Sequence, residues 1–353
     1  MLMSNTGKTP DATLSPGGLP RQWGRKTILL RGCGTLQTTK KTRQTSASPR
    51  RLSSRKRQEN RELYLIMLPV LVMIFIFFYL PMFGLVIAFQ DYVPGDPFFS
   101  FDGSTKWVGL QHFKTFFSSF YFPRLLKNTL TLSLLNILCG FWVPIVFALL
   151  LNEVRRLRYK KLVQTASYMP YFISMVVAAG MVISFVEKDG LVNKIIMLFG
   201  GDPIAFRTNP DWFPVIYILT NIWKTFGWNS ILYLSSMAAI DPALYESARL
   251  DGANRLQQAL KITLPMIAPT IAIMLIFAVG DIMTSNTDLI LLLYNNATMR
   301  KADVFGTYVY REGLMTGKVS LGTAIGLFSS SVNLLLVFIA NKCSNKISGD
   351  GLF

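Results

Sequence analysis

The sequence predicts an all-α integral membrane protein with six transmembrane helices, and three observations carry that prediction. Hydrophobic residues make up 51% of the 353-residue chain and charged residues only 16%, where an ordinary soluble domain carries about a quarter charged. Five uncharged runs, 63–90, 129–151, 162–186, 262–280 and 319–341, each reach the roughly 17 to 25 residues that a helix needs to cross a hydrocarbon core. A sixth run, 212–240, is interrupted only by Lys224. Backbone amides cannot stay unpaired in lipid, so all six are expected to be α-helices, with both termini on one side.

Net charge is +17, and residues 1–62 hold 14 Lys and Arg against 3 Asp and Glu. That stretch is rich in Ser, Thr and Gly and has no apolar core of a signal peptide. We expect a disordered basic cytoplasmic tail that fixes orientation and touches anionic lipid headgroups. It lacks interleaved aromatics, so nucleic acid is not an expected partner. With the N-terminus inside, the inner segments carry 16 Lys and Arg in 60 positions and the outer ones 11 in 87, the asymmetry expected of cytoplasmic loops. The clearest inner element is RRLRYKK at 155–161.

The first span (63–90) leads to an outer loop, 91–127, in which Phe113, Phe116, Phe117 and Phe120 recur at helical spacing. They form one aromatic face, expected to lie on the outer leaflet. The second span (129–151) and third (162–186) flank the basic connection. A second outer loop holds a short helix, 191–199, stopped by Gly200-Gly201. The fourth span (212–240) enters a polar loop at 241–265; the fifth is taken through its polar continuation to 293, and the sixth, 319–341, precedes a cytoplasmic C-terminus, 342–353.

Several chemistries are excluded early. One histidine, His112, leaves no nucleophile–His–Asp arrangement or His-based metal cluster. Cys33, Cys139 and Cys343 match neither a metal pattern nor a disulfide framework. The only Gly-Lys-Thr, at 7–9, has Leu2 where a phosphate-binding loop needs glycine. The chain is therefore not expected to be an enzyme or to hold a cofactor of its own.

The loop 241–265 is coded in detail. Asp241 followed by Pro242 is an N-cap with proline at the first helical position, and Gly252 suits the end of that helix. Asn254, with Gln257 three residues on, starts a second helix as a capping box. Helices this short are marginal alone, so the side formed by Leu244, Tyr245 and Ala248 and that formed by Leu256, Ala259 and Leu260 must pack on something. Either another protein docks there or the faces fold back on this chain's own spans.

Glu246-Ser247-Ala248, Gly252 and Ile262-Thr263-Leu264-Pro265 resemble the EAA loop of the membrane subunits of ABC importers: EAA, three residues, Gly, nine residues, I-x-L-P. Ser247 is the one departure, standing where alanine is usual. Flanking stretches such as YLPMFGLVIAFQDY, VFALLLNEVRRLRYKKLVQTASYMPYFIS and NIWKTFGWNSILYLSSMAAIDPALYESARLDGA resemble the LplB-like, binding-protein-dependent carbohydrate permeases over residues 60–345. The resemblance implies a type I ABC importer transmembrane domain in a bacterial plasma membrane. It implies a second homologous permease, two ATPase subunits holding ATP and Mg, and an extracytoplasmic binding protein. Tyr245, Glu246, Ser247, Ala248, Asp251, Gly252, Leu264 and Pro265 would then couple to the ATPase, Glu246 pairing with a basic residue there. The family includes importers of acidic oligosaccharides such as alginate and aldouronate fragments, the substrate class expected here.

Polar groups inside spans are the remaining candidates, because an ionisable group at membrane depth is costly unless it faces protein or water. Asn221, Trp223, Lys224, Trp228 and Asn229 in the fourth span, and Asp281 and Asn286 in the fifth, could line a sugar path. Lys224 could draw an anionic sugar or pair with Asp281 across helices. An ion-coupled secondary transporter is the competing class; it predicts inverted repeats, and it leaves the loop unexplained.

Overall fold

The computed structural model describes residues 54–95 and 106–348. The chain divides into two units, 1–65 and 66–353. Of the first, residues 54–65 are described and open helix α1 (Ser54–Ile74); the tail expected over 1–53, like residues 96–105 and 349–353, lies outside the described residues. Residues 54–62, assigned to the tail by composition, are thus helical: nothing in them breaks a helix, and the apolar run simply continues their winding.

In the second unit α1 passes through a π-turn at Phe75–Tyr79 and ends in the 3-10 segment Phe83–Phe89. Helix α2 (Gln111–Phe117) follows, then α3 (Phe122–Leu135), a π-turn at Asn136–Gly140, and α4 (Trp142–Asn152). Helices α5 (Leu157–Phe172) and α6 (Met175–Val186) lead to the short α7 (Leu191–Leu198) and to α8 (Phe213–Ala238). The loop helices α9 (Pro242–Leu250) and α10 (Arg255–Gln258) precede α11 (Ala268–Gly280), α12 (Thr287–Leu293) and α13 (Val319–Ser348). Among the described residues there are no strands, only an isolated bridge between Gln90 and Trp107.

The expected six spans are shown in part among the described residues. Three stretches, Asn60–Phe89, Phe122–Asn152 and Val319–Lys346, are long and apolar enough to cross a membrane, or up to five if two bent pairs are each one span. The run 162–186 is one of those bent pairs, turning by 98° between Phe172 and Met175. Pro170 lies in the last turn of α5, Ile173 and Ser174 are extended, and Ser174 Oγ caps α6 by accepting from the Val177 amide. The stretch 262–293 is broken as well, by a 63° bend between Met266 and Ala268 and by the non-helical residues that separate α11 from α12. Helix α8 is 26 residues long but carries Asn, Thr, Lys and Ser, and is not among the stretches apolar enough to be counted.

Packing explains where α8 sits. A Cβ on Gly227 would come within 2.1 Å of the Ser167 carbonyl oxygen, so α8 and α5 touch backbone to backbone there. One cluster of buried residues joins α6, α8 and α12 through Ala179, Tyr217 and Leu289; another joins α4, α8 and Ile267 through Ile145, Ala148 and Tyr233. The loop 241–265 rests on the second cluster through Tyr245 of α9 and through Leu264.

The aromatic face expected at the outer leaflet is divided. Helix α2 stops at Phe117, leaving Phe120 beyond it and exposed, whereas Phe116 is only 1% exposed. Its ring lies against Phe122, Phe305 and Phe328, with centroids 5.2, 5.8 and 6.3 Å away. Phe116 is a core residue joining α2 to α13, not a membrane anchor. Phe116→Ala is expected to lower stability by about 3–5 kcal/mol, read from chemical unfolding in detergent; a change below about 1 kcal/mol would return Phe116 to the interfacial role.

Candidate functional site

Tyr217, Asn221, Thr225, Asn229 and Tyr233 recur every four residues along α8, which places them in one row on that helix. Opposite the middle of the row lies the π-turn at Asn136–Gly140, an insertion of the kind that often marks functional positions. Asn221 Nδ2 donates to Asn136 Oδ1 at 2.9 Å, and Asn286 Nδ2 donates to Asn221 Oδ1 at 3.2 Å. The Asn286 amide donates to the Tyr217 hydroxyl at 3.1 Å, and Asn286 Oδ1 caps α12 by accepting from the Leu289 amide.

The break after α11 is built by the same side chains. Ser285 takes a left-handed φ of 49°, a conformation that costs energy for a residue other than glycine. Ser133 Oγ donates to the Ile282 carbonyl at 2.6 Å and lies 2.9 Å from Ser285 Oγ, and Asn333 Oδ1 accepts from the Met283 amide at 2.9 Å. Irregular backbone at membrane depth is tolerated only when protein or water satisfies it, and here α3, α8 and α13 supply the partners.

Two adjoining cavities result, of about 320 and 240 Å³. Among the polar lining residues Asn136, Asn221 and Asp281 border both, Ser133, Tyr217, Thr284, Ser285 and Asn286 the first, and Thr225, Asn229 and Tyr233 the second, whose wall also includes Phe141, Pro144, Met274 and Phe277. Of the seven path candidates, the structure brings Asn221, Asn229, Asp281 and Asn286 together. Trp223, Lys224 and Trp228 line neither cavity. The sequence reading missed Ser133, Asn136, Tyr217, Thr284 and Ser285, although the four-residue recurrence on α8 was there to be read.

Lys224 is placed at a helix end, apart from the other path candidates. It lines neither cavity and, among the described residues, makes no ion pair with Asp281: its ammonium donates to the carbonyls of Pro170 at 3.3 Å, Tyr171 at 3.1 Å and Ile173, at the C-terminal end of α5. Only 6% of the residue is exposed. A cation at a helix C-terminus is favoured by the helix dipole and satisfies terminal carbonyls; that of Pro170 also accepts from the Ile173 amide at 3.3 Å. Trp228 belongs to the same corner, stacking on Tyr171 at 4.5 Å with the rings nearly parallel.

The second group of candidates forms a helix–turn–helix. Asp241 Oδ1 caps α9 by accepting from the Ala243 amide. At its other end the Gly252 amide donates to the Arg249 carbonyl and the Ala253 amide to the Ala248 carbonyl, with Gly252 at φ 81°. These two bonds are a Schellman ending, which a left-handed glycine permits. Asn254 and Gln257 exchange bonds as a capping box, and Gln258 Nε2 donates to the Ala253 carbonyl. Of the alternatives left open for the helical faces, packing back on this chain is met in part. Tyr245 turns inward, its hydroxyl 2.9 Å from Thr263 Oγ1, while Ala248 and Leu264 are half-buried. Leu244, Leu250, Leu256 and Leu260 stay exposed, as do Glu246, Ser247, Asp251, Gly252 and Pro265. Among the described residues Glu246 makes no ion pair, and it borders a cavity of about 280 Å³ with Arg155, Arg249 and Arg255.

Residues 140–348 match the family described as the binding-protein-dependent transport system inner membrane component. The polygalacturonan/rhamnogalacturonan transport system permease protein YteP of Bacillus subtilis (strain 168) is 44% identical over 84% of this chain and 91% of its own length. Protein LplB of the same organism is 41% identical, over 84% and 92%. Among solved structures, a chain of a bacterial alginate ABC transporter in complex with an alginate pentasaccharide-bound periplasmic protein superposes with a TM-score of 0.76. The two are 43% identical, over 84% of this chain and 99% of that one.

Proposed function

The chain belongs to the family of binding-protein-dependent transport system inner membrane components, and from that premise we propose that it is a permease subunit of an ATP-driven oligosaccharide importer. It forms half of the translocation path, a second homologous permease supplies the other half, and a binding protein outside the membrane delivers the substrate. Two ATPase subunits hold ATP and Mg. Both termini face the cytoplasm, on the side of RRLRYKK and of the loop 241–265. The names of the similar proteins, for polygalacturonan and rhamnogalacturonan in one case and alginate in the other, support an acidic oligosaccharide such as an alginate or aldouronate fragment.

The observation that carries this reading is the loop. Its EAA-like spacing is held as two capped helices about Gly252, one side seated on the chain's own core and four leucines left outward. A short amphipathic helix with an unpartnered apolar side suits insertion into a groove of another protein. In this mechanism closure of the ATPases moves α9, and Tyr245 and Leu264 pass the movement to α4, α8 and the bend before α11. The amide and hydroxyl groups of Asn221, Asn229, Tyr217 and Asn286 offer hydrogen bonds to sugar hydroxyls along the path.

Reconstitution tests the whole reading. With the second permease, the ATPases and the binding protein in proteoliposomes, a labelled uronate oligosaccharide should accumulate only when ATP is supplied on the ATPase side. Uptake by this chain alone, without ATP, would overturn it.

A further inference from the structure

We propose that Tyr245 is the positioning residue through which α9 moves α11, acting by a hydrogen bond from its hydroxyl to Thr263. The inference rests on the importer reading above and assigns its transmission step to one contact.

Helix α9 is lightly attached. None of its residues is fully buried. Tyr245 turns inward, its ring packed against the cluster that holds Ile145, Tyr233 and Ile267, and its hydroxyl lies 2.9 Å from Thr263 Oγ1. Among the described residues no other hydrogen bond or ion pair joins α9 to the chain outside 241–253. The apolar contacts of the ring have no preferred direction, so alone they let the helix slide. A hydrogen bond fixes both distance and angle.

Beyond that bond the backbone is built to yield. Thr263 is 1% exposed and ends a π-turn at Ala259–Thr263, where the Leu264 amide reaches back five residues to the Ala259 carbonyl. Pro265 has no amide to donate, and the 63° bend between Met266 and Ala268 follows. The Thr263 hydroxyl donates its one proton to the Gln258 carbonyl at 3.4 Å, which makes Tyr245 the donor of the pair. Gln258 in turn donates from its side chain to the Ala253 carbonyl, next to Gly252. Thr263 therefore links α9, the turn at Gly252 and the bend before α11. Helix α9 also has room to tilt: the cavity of about 280 Å³ is bordered by Asn152, Glu153 and Arg155 and by Pro242, Tyr245 and Arg249. A tilt that closes this space while Tyr245 keeps hold of Thr263 becomes a pull on the π-turn and the bend.

The test uses the assembled importer in proteoliposomes, with its binding protein, a labelled uronate oligosaccharide and ATP. Tyr245→Phe and Thr263→Val each keep the shape and remove one hydroxyl. Each is expected to cut uptake about fivefold while ATP hydrolysis continues, so that more ATP is consumed per sugar accumulated. The double variant should be no worse than either single one, the mark of a shared interaction. Thr263→Ser keeps the hydroxyl and should take up sugar as the wild type does. Wild-type uptake in Tyr245→Phe, losses that multiply in the double variant, or hydrolysis that falls in step with uptake would each overturn the proposal, the last because it marks lost docking or folding rather than lost transmission. A wild-type complex whose uptake does not depend on ATP would instead overturn the importer reading.

Discussion

Lys224→Met is expected to destabilise the protein by about 3 kcal/mol and to abolish transport. The substitution keeps the length and apolar stem of the side chain but removes the donor to the carbonyls of Tyr171 and Ile173 and one of two donors to that of Pro170, which also accepts from the Ile173 amide. An unpaired buried carbonyl costs about 1–3 kcal/mol, and no water enters lipid-facing protein cheaply to replace the ammonium. The penalties do not add in full, because Pro170 keeps the Ile173 amide and the corner can relax. The contact of Gly227 with Ser167 limits that relaxation, since α8 already touches the α5 backbone there. Thermal unfolding in detergent measures the loss, with Lys224→Arg as the partial rescue: it keeps the cation but must fit a planar fork into a site shaped for an ammonium. A methionine variant with wild-type unfolding and uptake would show that the bend between α5 and α6 holds itself.

The same residue shows where sequence reading stops. That an ionisable group lies in an apolar run is visible in the sequence, and so is the inference that it must be satisfied internally. Its partner was not visible, because three backbone carbonyls carry no residue-type signal and lie 51 to 54 positions away. Local features were far more legible. The caps at Asp241 and Asn254 and the turn at Gly252 depend on contacts within a few residues, and each forms where its residues stand. Long-range polar anchors were not legible at all. Asp303, fully buried, receives Arg311 at 3.0 Å and, from 179 positions away, Arg124 at 3.5 Å, and the hydrogen bonds that Arg311 donates to Asp303 raise the pKa of its guanidinium. The broken spans were missed for a related reason. Hydropathy registers that 162–186 and 262–280 are apolar, but not that Ser133, Asn333 and Lys224 are placed to satisfy a backbone that stops winding.

Glu246→Lys is expected to leave folding intact and to cut ATP-driven uptake more than tenfold while ATP hydrolysis continues. Glu246 is exposed, makes no ion pair among the described residues, and lies on α9 away from Tyr245, which anchors the helix to the core. Its replacement therefore removes nothing that stabilises the chain itself, and surface substitutions of this kind usually change stability by no more than about 0.5 kcal/mol. In the importer reading the carboxylate meets a basic residue of the ATPase. Reversing its charge turns an attraction into a repulsion at a desolvated contact, where truncating one partner alone costs about 2–5 kcal/mol. Arg155, Arg249, Arg255 and Glu153, the last 3.8 Å from Arg255, line the adjoining cavity with it, so a lysine at 246 also leaves Glu153 as the one carboxylate in that lining. Two readouts separate the cases. The unfolding midpoint of the isolated chain should be unchanged, and in proteoliposomes the ratio of ATP hydrolysed to sugar accumulated should rise. If charge complementarity is the cause, Glu246→Gln should fall between the wild type and the lysine variant. Wild-type uptake in Glu246→Lys would remove Glu246 from the docking surface and leave the outward leucines as its only determinants.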